Sequence, residues 1–130
     1  MDPVGTVNGL VIDCADPLAL AAFWGSVFAT EVDAVEDEPA RYVDLGSRPG
    51  LPVLRFQRVP EGKTVKNRLH LDIEVSSLDE AVTRIEALGG RPLRPRDTDY
   101  GVHYRVMADP EGNEFCLIEP ADADDTLSPR

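Results

Sequence analysis

The sequence predicts an α+β domain in which a βαβββ module occurs twice. Three observations lead to this prediction: two alternating strand patterns that superpose at an offset of 61 residues, a helical pattern directly after each of them, and three further strand-like stretches in each half. The first superposition places Gly9–Cys14 over His70–Val75. Near the end of each half the match continues at an offset of 62, which places Leu54 over Cys116.

The first module is expected at about residues 7–59. After its first strand, Asp16 is positioned to cap a helix in which Leu20, Trp24 and Val27 recur at helical spacing. A turn at Arg48-Pro-Gly50 separates the last two of the three strands that follow. These strands are expected near Thr30–Val35, Arg41–Leu45 and Pro52–Gln57.

The second module is expected at about residues 67–120. Ser77 and Glu80 form a capping-box pair at the start of its helix, and Gly89 provides a residue that readily adopts the left-handed conformation at the helix end. Its later strands are expected near Arg91–Pro95, His103–Ala108 and Glu114–Ile118, with a turn at Asp109-Pro-Glu-Gly112. The polar stretch at 58–68 is expected to be an exposed linker, and 121–130 a flexible tail.

Composition excludes several classes of partner. The net charge of −11 disfavours nucleic acid and anionic membrane surfaces, because both are bound by clustered Lys and Arg. No apolar run is long enough to cross a bilayer and the N-terminus lacks a signal pattern, so we expect a cytoplasmic protein. Cys14 and Cys116 both lie in strand-like stretches and are expected to be buried free thiols.

Three segments carry a resemblance to a known superfamily: Ile12-Asp-Cys-Ala-Asp16 followed by Phe23-Trp24, Arg68-Leu-His-Leu-Asp72, and Asp109-Pro-Glu-Gly-Asn-Glu-Phe-Cys-Leu117. Together they resemble the glyoxalase-like branch of the vicinal oxygen chelate (VOC) superfamily, which includes glyoxalase I, extradiol dioxygenases, fosfomycin-resistance enzymes and bleomycin-binding proteins. The resemblance covers about 7–120. It implies a VOC domain whose two modules enclose a central cleft for a small organic ligand, and it implies a homodimer.

The resemblance also implies where a metal would be held. Family ligands at the start of each first strand and on each last strand fall on Gly9, Leu54, His70 and Cys116. Glycine and leucine have no side-chain donor, and one imidazole with at most one thiolate falls short of the three protein ligands normal for a catalytic site. We therefore expect no metal and no cofactor.

The predicted catalytic residues follow from strand alternation. His70, Asp72 and Glu74 share one face of their strand, and a histidine beside a carboxylate is a candidate general base near neutral pH. The alternative is that Asp72 and Glu74 reach water at a sheet edge and that His70 is a hydrogen-bonded relic of the family ligand.

The predicted ligand-binding residues are a mixed set. Leu54 and Phe56 share a face and would make one side of the cleft apolar, while His103 and Tyr104 face opposite ways, which leaves open which of them lines the cleft. The complete set of predicted ligand-binding residues is Leu54, Phe56, Cys116, Asp13 and His103.

Three function classes remain open from the sequence. The leading one is a protein that binds a small, partly apolar organic molecule and acts as a lyase or isomerase without a metal. The second is a non-catalytic sequestering protein of the antibiotic-resistance type. The third is a metal-dependent lyase or dioxygenase in which Asp72, Glu74 or Cys116 replaces the missing ligands.

Overall fold

The chain divides into two compact units. In the computed structural model, which describes residues 1–121, the first unit comprises residues 1–62 and the second begins at Lys63. The division falls inside the polar stretch predicted as a linker. Apart from Ala121, the predicted tail lies outside the described residues.

The first unit is a four-stranded sheet with one helix. Its strands lie in the order β1-β4-β3-β2, with β1 and β4 parallel and the other pairs antiparallel. The helix packs against β3 and β4. The elements are β1 Leu10–Cys14, α1 Pro17–Phe28, β2 Val32–Glu36, β3 Tyr42–Leu45 and β4 Leu54–Arg58.

The helix α1 forms for the reasons that the sequence indicates. The side chain of Asp16 accepts a hydrogen bond from the Ala19 N–H at 3.1 Å, which satisfies one of the unpaired donors of the first turn. Trp24 is buried. A Cβ atom at Gly25 would lie 2.7 Å from the carbonyl oxygen of Thr30, so the close approach of the chain after the helix requires glycine at this position.

The second unit repeats this arrangement with one additional strand. Its strands lie in the order β5-β9-β8-β6, with β7 also paired to β8; β5 and β9 are parallel and the other pairs antiparallel. The elements are β5 Asp72–Glu74, α2 Leu78–Leu88, β6 Arg91–Pro92, β7 Asp97–Asp99, β8 Val102–Ala108 and β9 Glu114–Pro120. The prediction of an α+β fold with two βαβββ modules is confirmed, and the short strand β7 was not predicted.

The helix α2 is held at both ends. The hydroxyl oxygen of Ser77 accepts from the Glu80 N–H at 3.3 Å, and Glu119 on β9 accepts from the Leu78 N–H at 3.2 Å. Gly89 ends the helix with a φ of 108°, as predicted for a left-handed C-cap. Among the described residues, no helix is long and apolar enough to cross a membrane.

The register of β4 corrects one prediction. Val11 pairs with Arg55 in the first unit, and Asp72 pairs with Cys116 in the second, so the last strands superpose at the same offset as the first strands. Arg55 therefore occupies the position equivalent to Cys116, and the predicted match of Leu54 with Cys116 is wrong by one residue. The cause is that β3 and β8 superpose at an offset of 62, whereas the first and last strands superpose at an offset of 61. The prediction extended the offset of the middle strands to the last strands.

Candidate functional site

The sheet of the second unit has two distinct faces. Glu119 reaches the N-terminus of α2, so the face that carries Glu119 is the helix face. His103 pairs with Glu119 and lies on this face. Because side chains alternate along a strand, Cys116 and its partner Val106 lie on the opposite face. We call the face that carries Cys116 the open face, because it points away from α2.

Three ligand-type side chains meet on the open face. The Nε2 atom of His70 lies 3.2 Å from Oδ1 of Asp72, and Sγ of Cys116 lies within 4.8 Å of both groups. Donor atoms of the three residues all lie within 4.8 Å of one another. We call these residues the His70 cluster. The side chains of His70 and Asp72 are 42% and 56% exposed, so a solute can reach them.

Strand pairing brings the cluster together. Asp72 on β5 and Cys116 on β9 are direct partners in a parallel pair, which places their side chains next to each other on one face. The Cys116 N–H donates to the carbonyl oxygen of Leu71 at 2.9 Å. His70 lies two residues before Asp72, ahead of β5, and its contact with Asp72 places its side chain on the same face.

The segment that leads to His70 is anchored to β9. The Asn67 N–H donates to Oε1 of Glu114 at 3.0 Å, and the Glu114 N–H donates to Oδ1 of Asn67 at 2.9 Å. The ammonium group of Lys63 lies 2.9 Å from Oε2 of the same glutamate. Burial raises the pKa of Glu114, but the Asn67 N–H and the Lys63 ammonium together lower it by more. The pKa of Glu114 therefore lies below its ordinary value.

The thiol of Cys116 is held in its protonated form. Burial raises its pKa most, and the negative charge of Asp72 raises it further, while Arg94 and Lys66 oppose this to a smaller extent. A thiol rather than a thiolate is therefore present near neutral pH. Cys116 offers a weak hydrogen-bond donor and an apolar surface, not an activated nucleophile.

The other predicted site residues lie outside the cluster. Glu74 pairs with Ile118 on the same open face and is exposed. His103 lies on the helix face, where its Nδ1 is 2.7 Å from the hydroxyl of Thr98. Asp13 is exposed on the face of β1 that also carries Val11, which points away from α1.

Leu54 and Phe56 occupy the hydrophobic core. Their side chains are 1% and 0% exposed, on a strand that packs against α1. The predicted apolar wall of a cleft is thus not formed by these residues in the described conformation. Because β4 alternates, Arg55 and Gln57 take the opposite face instead.

Sequence reasoning missed an ion pair on that face. The guanidinium of Arg55 binds Asp44 through two parallel contacts, Nε to Oδ1 at 2.7 Å and Nη2 to Oδ2 at 2.9 Å. The hydrogen bond and charge of Asp44 raise the pKa of Arg55. Continuing the offset of the first strands through β4 would have matched Arg55 with Cys116 and identified Arg55 as the residue at the equivalent position.

A groove of about 470 Å³ lies elsewhere, in the first unit between α1 and the segment that enters β2. Its lining is Ala21, Ala22, Gly25, Ser26, Ala29, Thr30, Glu31 and Val32. Glu31 is its one titratable side chain, so the groove lacks the paired acid and base groups that the His70 cluster provides. The His70 cluster is therefore the stronger candidate site.

Comparison with known proteins agrees with the repeated fold. The sequence profile of a family described as a glyoxalase-like domain matches residues 9–118. No curated protein matches the chain significantly.

Several solved structures are similar. One is a glyoxalase/bleomycin resistance protein/dioxygenase from Nocardioides, with a TM-score of 0.72, 15% identity, and coverage of 95% of this chain and 88% of that one. A second is the fosfomycin resistance protein FosX from Listeria monocytogenes, with a TM-score of 0.71, 16% identity, and coverage of 96% and 100%. A third is TioX from Micromonospora sp. ML1, with a TM-score of 0.59, 21% identity, and coverage of 86% and 98%. At these identities the likeness shows the fold alone.

Proposed function

This chain belongs to the glyoxalase-like domain family, and on that premise we propose that it binds a small, partly apolar organic molecule on the open face of its second sheet. We propose that it acts there as a lyase or isomerase without a metal, with His70 as the acid–base group. The observation that carries the proposal is the 3.2 Å contact between Nε2 of His70 and Oδ1 of Asp72.

The surroundings of the cluster suit such a ligand. Ile118 and Tyr104 are half-buried partners on the open face, next to the polar groups. Sites for small molecules combine an apolar lining with a few convergent polar groups. These two side chains supply the apolar contact that the sequence analysis assigned to Leu54 and Phe56.

The histidine has a defined chemical role in this proposal. When its Nε2–H donates to the Asp72 carboxylate, the basic atom of the neutral ring is Nδ1. Nδ1 takes a proton from a carbon of the bound molecule. Returning that proton to another carbon gives an isomerisation, and losing a leaving group instead gives an elimination. Cys116, which retains its own proton, contributes a weak donor beside the reacting group.

A fragment screen followed by calorimetry tests the proposal. A hit from the screen is titrated into the wild type, His70→Ala and the control His103→Ala, which alters a histidine on the helix face. Binding that weakens in His70→Ala and persists in His103→Ala supports the site. Turnover of the hit that disappears in His70→Ala while affinity persists assigns catalysis to this residue, whereas affinity without turnover in the wild type indicates a sequestering protein. Equal affinity in all three proteins, with no loss of turnover in His70→Ala, contradicts the proposed site.

A second candidate function is favoured by the donor set of the cluster. An imidazole nitrogen, a carboxylate oxygen and a sulfur atom within 4.8 Å of one another match the donor types of a catalytic zinc site with three protein ligands. His70, Asp72 and Cys116 would hold the ion, which would supply Lewis-acid chemistry. Of the family ligand positions, Gly9 and Arg55 offer no donor in the first unit, so this site would be formed by the second unit alone.

Metal titration separates the two candidates. Zinc is titrated by competition with a chromophoric chelator into the wild type, Cys116→Ser and Glu74→Gln. Tight one-to-one binding that is lost in Cys116→Ser and kept in Glu74→Gln supports the metal-dependent candidate. Absence of binding in the wild type supports the metal-independent one. The pKa of the Cys116 thiol is raised, and the thiol must lose its proton to bind zinc. Any zinc affinity is therefore expected to increase with pH.

The proposal includes a cytoplasmic location, expected from the sequence, and a homodimer, which the family resemblance implies. The edge strand β2 is exposed along its whole length, and Val32 and Val35 are 43% and 49% exposed, which provides an edge that a second copy could cover. Sedimentation of the wild type and Val35→Lys tests this. A monomeric wild type at micromolar concentration contradicts the dimer.

A further inference from the structure

His70 lies outside the regular strands of the second unit. β5 begins only at Asp72, and residues 59–71, all within the described part of the chain, form neither helix nor strand. The side chain of His70 is 42% exposed, so burial in the core does not hold it in place. Its 3.2 Å contact with Asp72 therefore depends on what fixes the backbone of the segment that carries it.

Two hydrogen-bonded anchors on β9 lie on either side of His70 in the chain. After it, the carbonyl oxygen of Leu71 accepts from the Cys116 N–H at 2.9 Å. Before it, the Asn67 N–H donates to Oε1 of Glu114 at 3.0 Å, and the Glu114 N–H donates to Oδ1 of Asn67 at 2.9 Å. Glu114 and Cys116 lie two residues apart on the same strand. Residues 68–70 therefore span two points that are both fixed to β9.

The first of these anchors is reinforced by side chains. The amide group of Asn67 also donates to the carbonyl oxygen of Glu114 at 3.2 Å and to that of Leu69, the residue directly before His70. The ammonium group of Lys63 lies 2.9 Å from Oε2 of Glu114, whose side chain is only 12% exposed. Hydrogen bonds to a charged and largely buried acceptor are stronger than those between neutral, exposed groups. We call Asn67 and Glu114 the Asn67 clasp.

On the basis of the proposed function, we propose that Asn67 and Glu114 are positioning residues, which hold His70 at the distance from Asp72 that its acid–base role requires. Neither contacts the reacting atoms in this proposal. An acid–base group has to lie within about 2.6–3.2 Å of the proton that it transfers, and a displacement of about 1 Å can lower a rate roughly 100-fold. The clasp restricts the His70 segment before a ligand binds, so the site does not have to be ordered by the ligand itself.

A purely structural role of the clasp would have a different consequence. If the clasp only stabilised the unit, its loss would affect both histidines of the chain to a similar extent. His103 lies on the helix face, where its Nδ1 is 2.7 Å from the hydroxyl of Thr98. The resonances of His103 therefore report whether a variant is folded, while those of His70 report the contact with Asp72.

NMR of the ligand-free protein measures that contact. The signal is the change in the His70 imidazole proton shifts that Asp72→Asn causes, recorded at about pH 8.5, where an ordinary imidazole is neutral. The same change is measured in proteins that also carry Asn67→Ala or Glu114→Ala. In each of these backgrounds the change is expected to fall to roughly half of its wild-type size or less, because His70 no longer stays beside residue 72. The shifts of His103 are expected to remain those of the wild type.

A conservative variant and a matched control complete the test. Glu114→Gln keeps an oxygen that can accept from the Asn67 N–H, so it is expected to keep most of the wild-type change. Glu86→Ala removes the same carboxylate from the exposed surface of α2 and is expected to keep all of it. If either alanine variant does not fold, Asn67→Asp replaces it, because it keeps the size of the side chain and loses the amide donors. The inference is contradicted if Asn67→Ala, Glu114→Ala or this replacement retains the full change, or if the control loses it as well.

Failure of this inference is distinguishable from failure of the proposed function, because the NMR measurement needs no ligand. If the clasp variants lose the change and no fragment of the screen binds near His70, the positioning is supported and the proposed function alone is contradicted. If fragments bind near His70 and the clasp variants retain the full change, the positioning alone is contradicted. If Asp72→Asn does not shift the His70 resonances in the wild-type background, both are contradicted, because the contact on which they depend is missing.

Discussion

Oδ1 of Asp72 lies 3.2 Å from Nε2 of His70, on a face of the sheet that points away from the helix of its module. The same carboxylate lies within 4.8 Å of the Cys116 sulfur, and its negative charge raises the pKa of that thiol. Asp72 therefore contacts the imidazole and adds to the effect of burial in raising the pKa of the thiol, so removing its charge should change both neighbours at once.

The first prediction concerns the reactivity of Cys116. Asp72→Asn removes a charge that raises the pKa of this thiol, so the pKa should fall and the thiolate fraction at pH 8 should increase. Alkylation of Cys116 by iodoacetamide should accelerate roughly threefold or more. Peptide mapping by mass spectrometry separates Cys116 from Cys14. Glu74→Gln removes the same charge elsewhere on β5 and should leave the rate close to that of the wild type; equal rates in all three proteins would refute this electrostatic role.

The second prediction concerns stability in acid. The folded-state pKa of Glu114 is lowered, so its contribution to the free energy of unfolding is fully present above the unfolded value of about 4.3 and is lost as the pH falls through the folded pKa. Urea unfolding between neutral and acidic pH should show a shallower acid loss in Glu114→Gln than in the wild type. Glu86→Gln, on the exposed surface of α2, is the control and should retain the wild-type slope. Parallel curves for the wild type and Glu114→Gln would contradict the prediction.

The third prediction separates core residues from ligand contacts. Phe56 is fully buried on a strand that packs against α1, so Phe56→Ala should lower the free energy of unfolding by about 3–5 kcal/mol. Gln57→Ala, at the next residue of β4, should cost less than about 1 kcal/mol because that side chain is half-exposed. Chemical denaturation measures both. A small effect of Phe56→Ala would restore this residue as a candidate for the ligand wall.

The fold was predictable because it depends on periodicity. The alternation in Gly9–Cys14 and His70–Val75, followed each time by helical spacing and a capping residue, defines two βαβββ modules without knowledge of any contact. The His70–Asp72 contact was predictable from the alternation expected for 70–75, and it is present although β5 itself begins only at Asp72.

The register of the last strands was not predictable in the same way. Leu54 and Arg55 are adjacent on β4, so a slip of one residue exchanges the face that packs against α1 for the opposite face of the sheet. Matching Tyr42 with Tyr104 gives the offset of the middle strands. The connections from these strands to β4 and β9 differ in length by one residue, and the hydrogen-bond register is needed to detect this difference.

The placement of His103 and the anchoring of Asn67 depended on tertiary contacts. Alternation shows that His103 and Tyr104 face opposite ways, and the hydrogen bond from the Leu78 N–H of α2 to Glu119 identifies the helix face. Asn67 and Glu114 are 47 residues apart, and no local pattern predicts their reciprocal hydrogen bonds.

The most direct test of the account uses the two histidines as internal probes. The chain contains only His70 and His103, and they lie on opposite faces of the second sheet. Their imidazole resonances are recorded by NMR while a library of small, partly apolar organic molecules is added. Ligands that bind on the open face are expected to shift the resonances of His70 and to leave those of His103 unchanged. Ligands that bind with calorimetrically measured affinity but shift only His103, or neither histidine, would contradict a binding site on the open face.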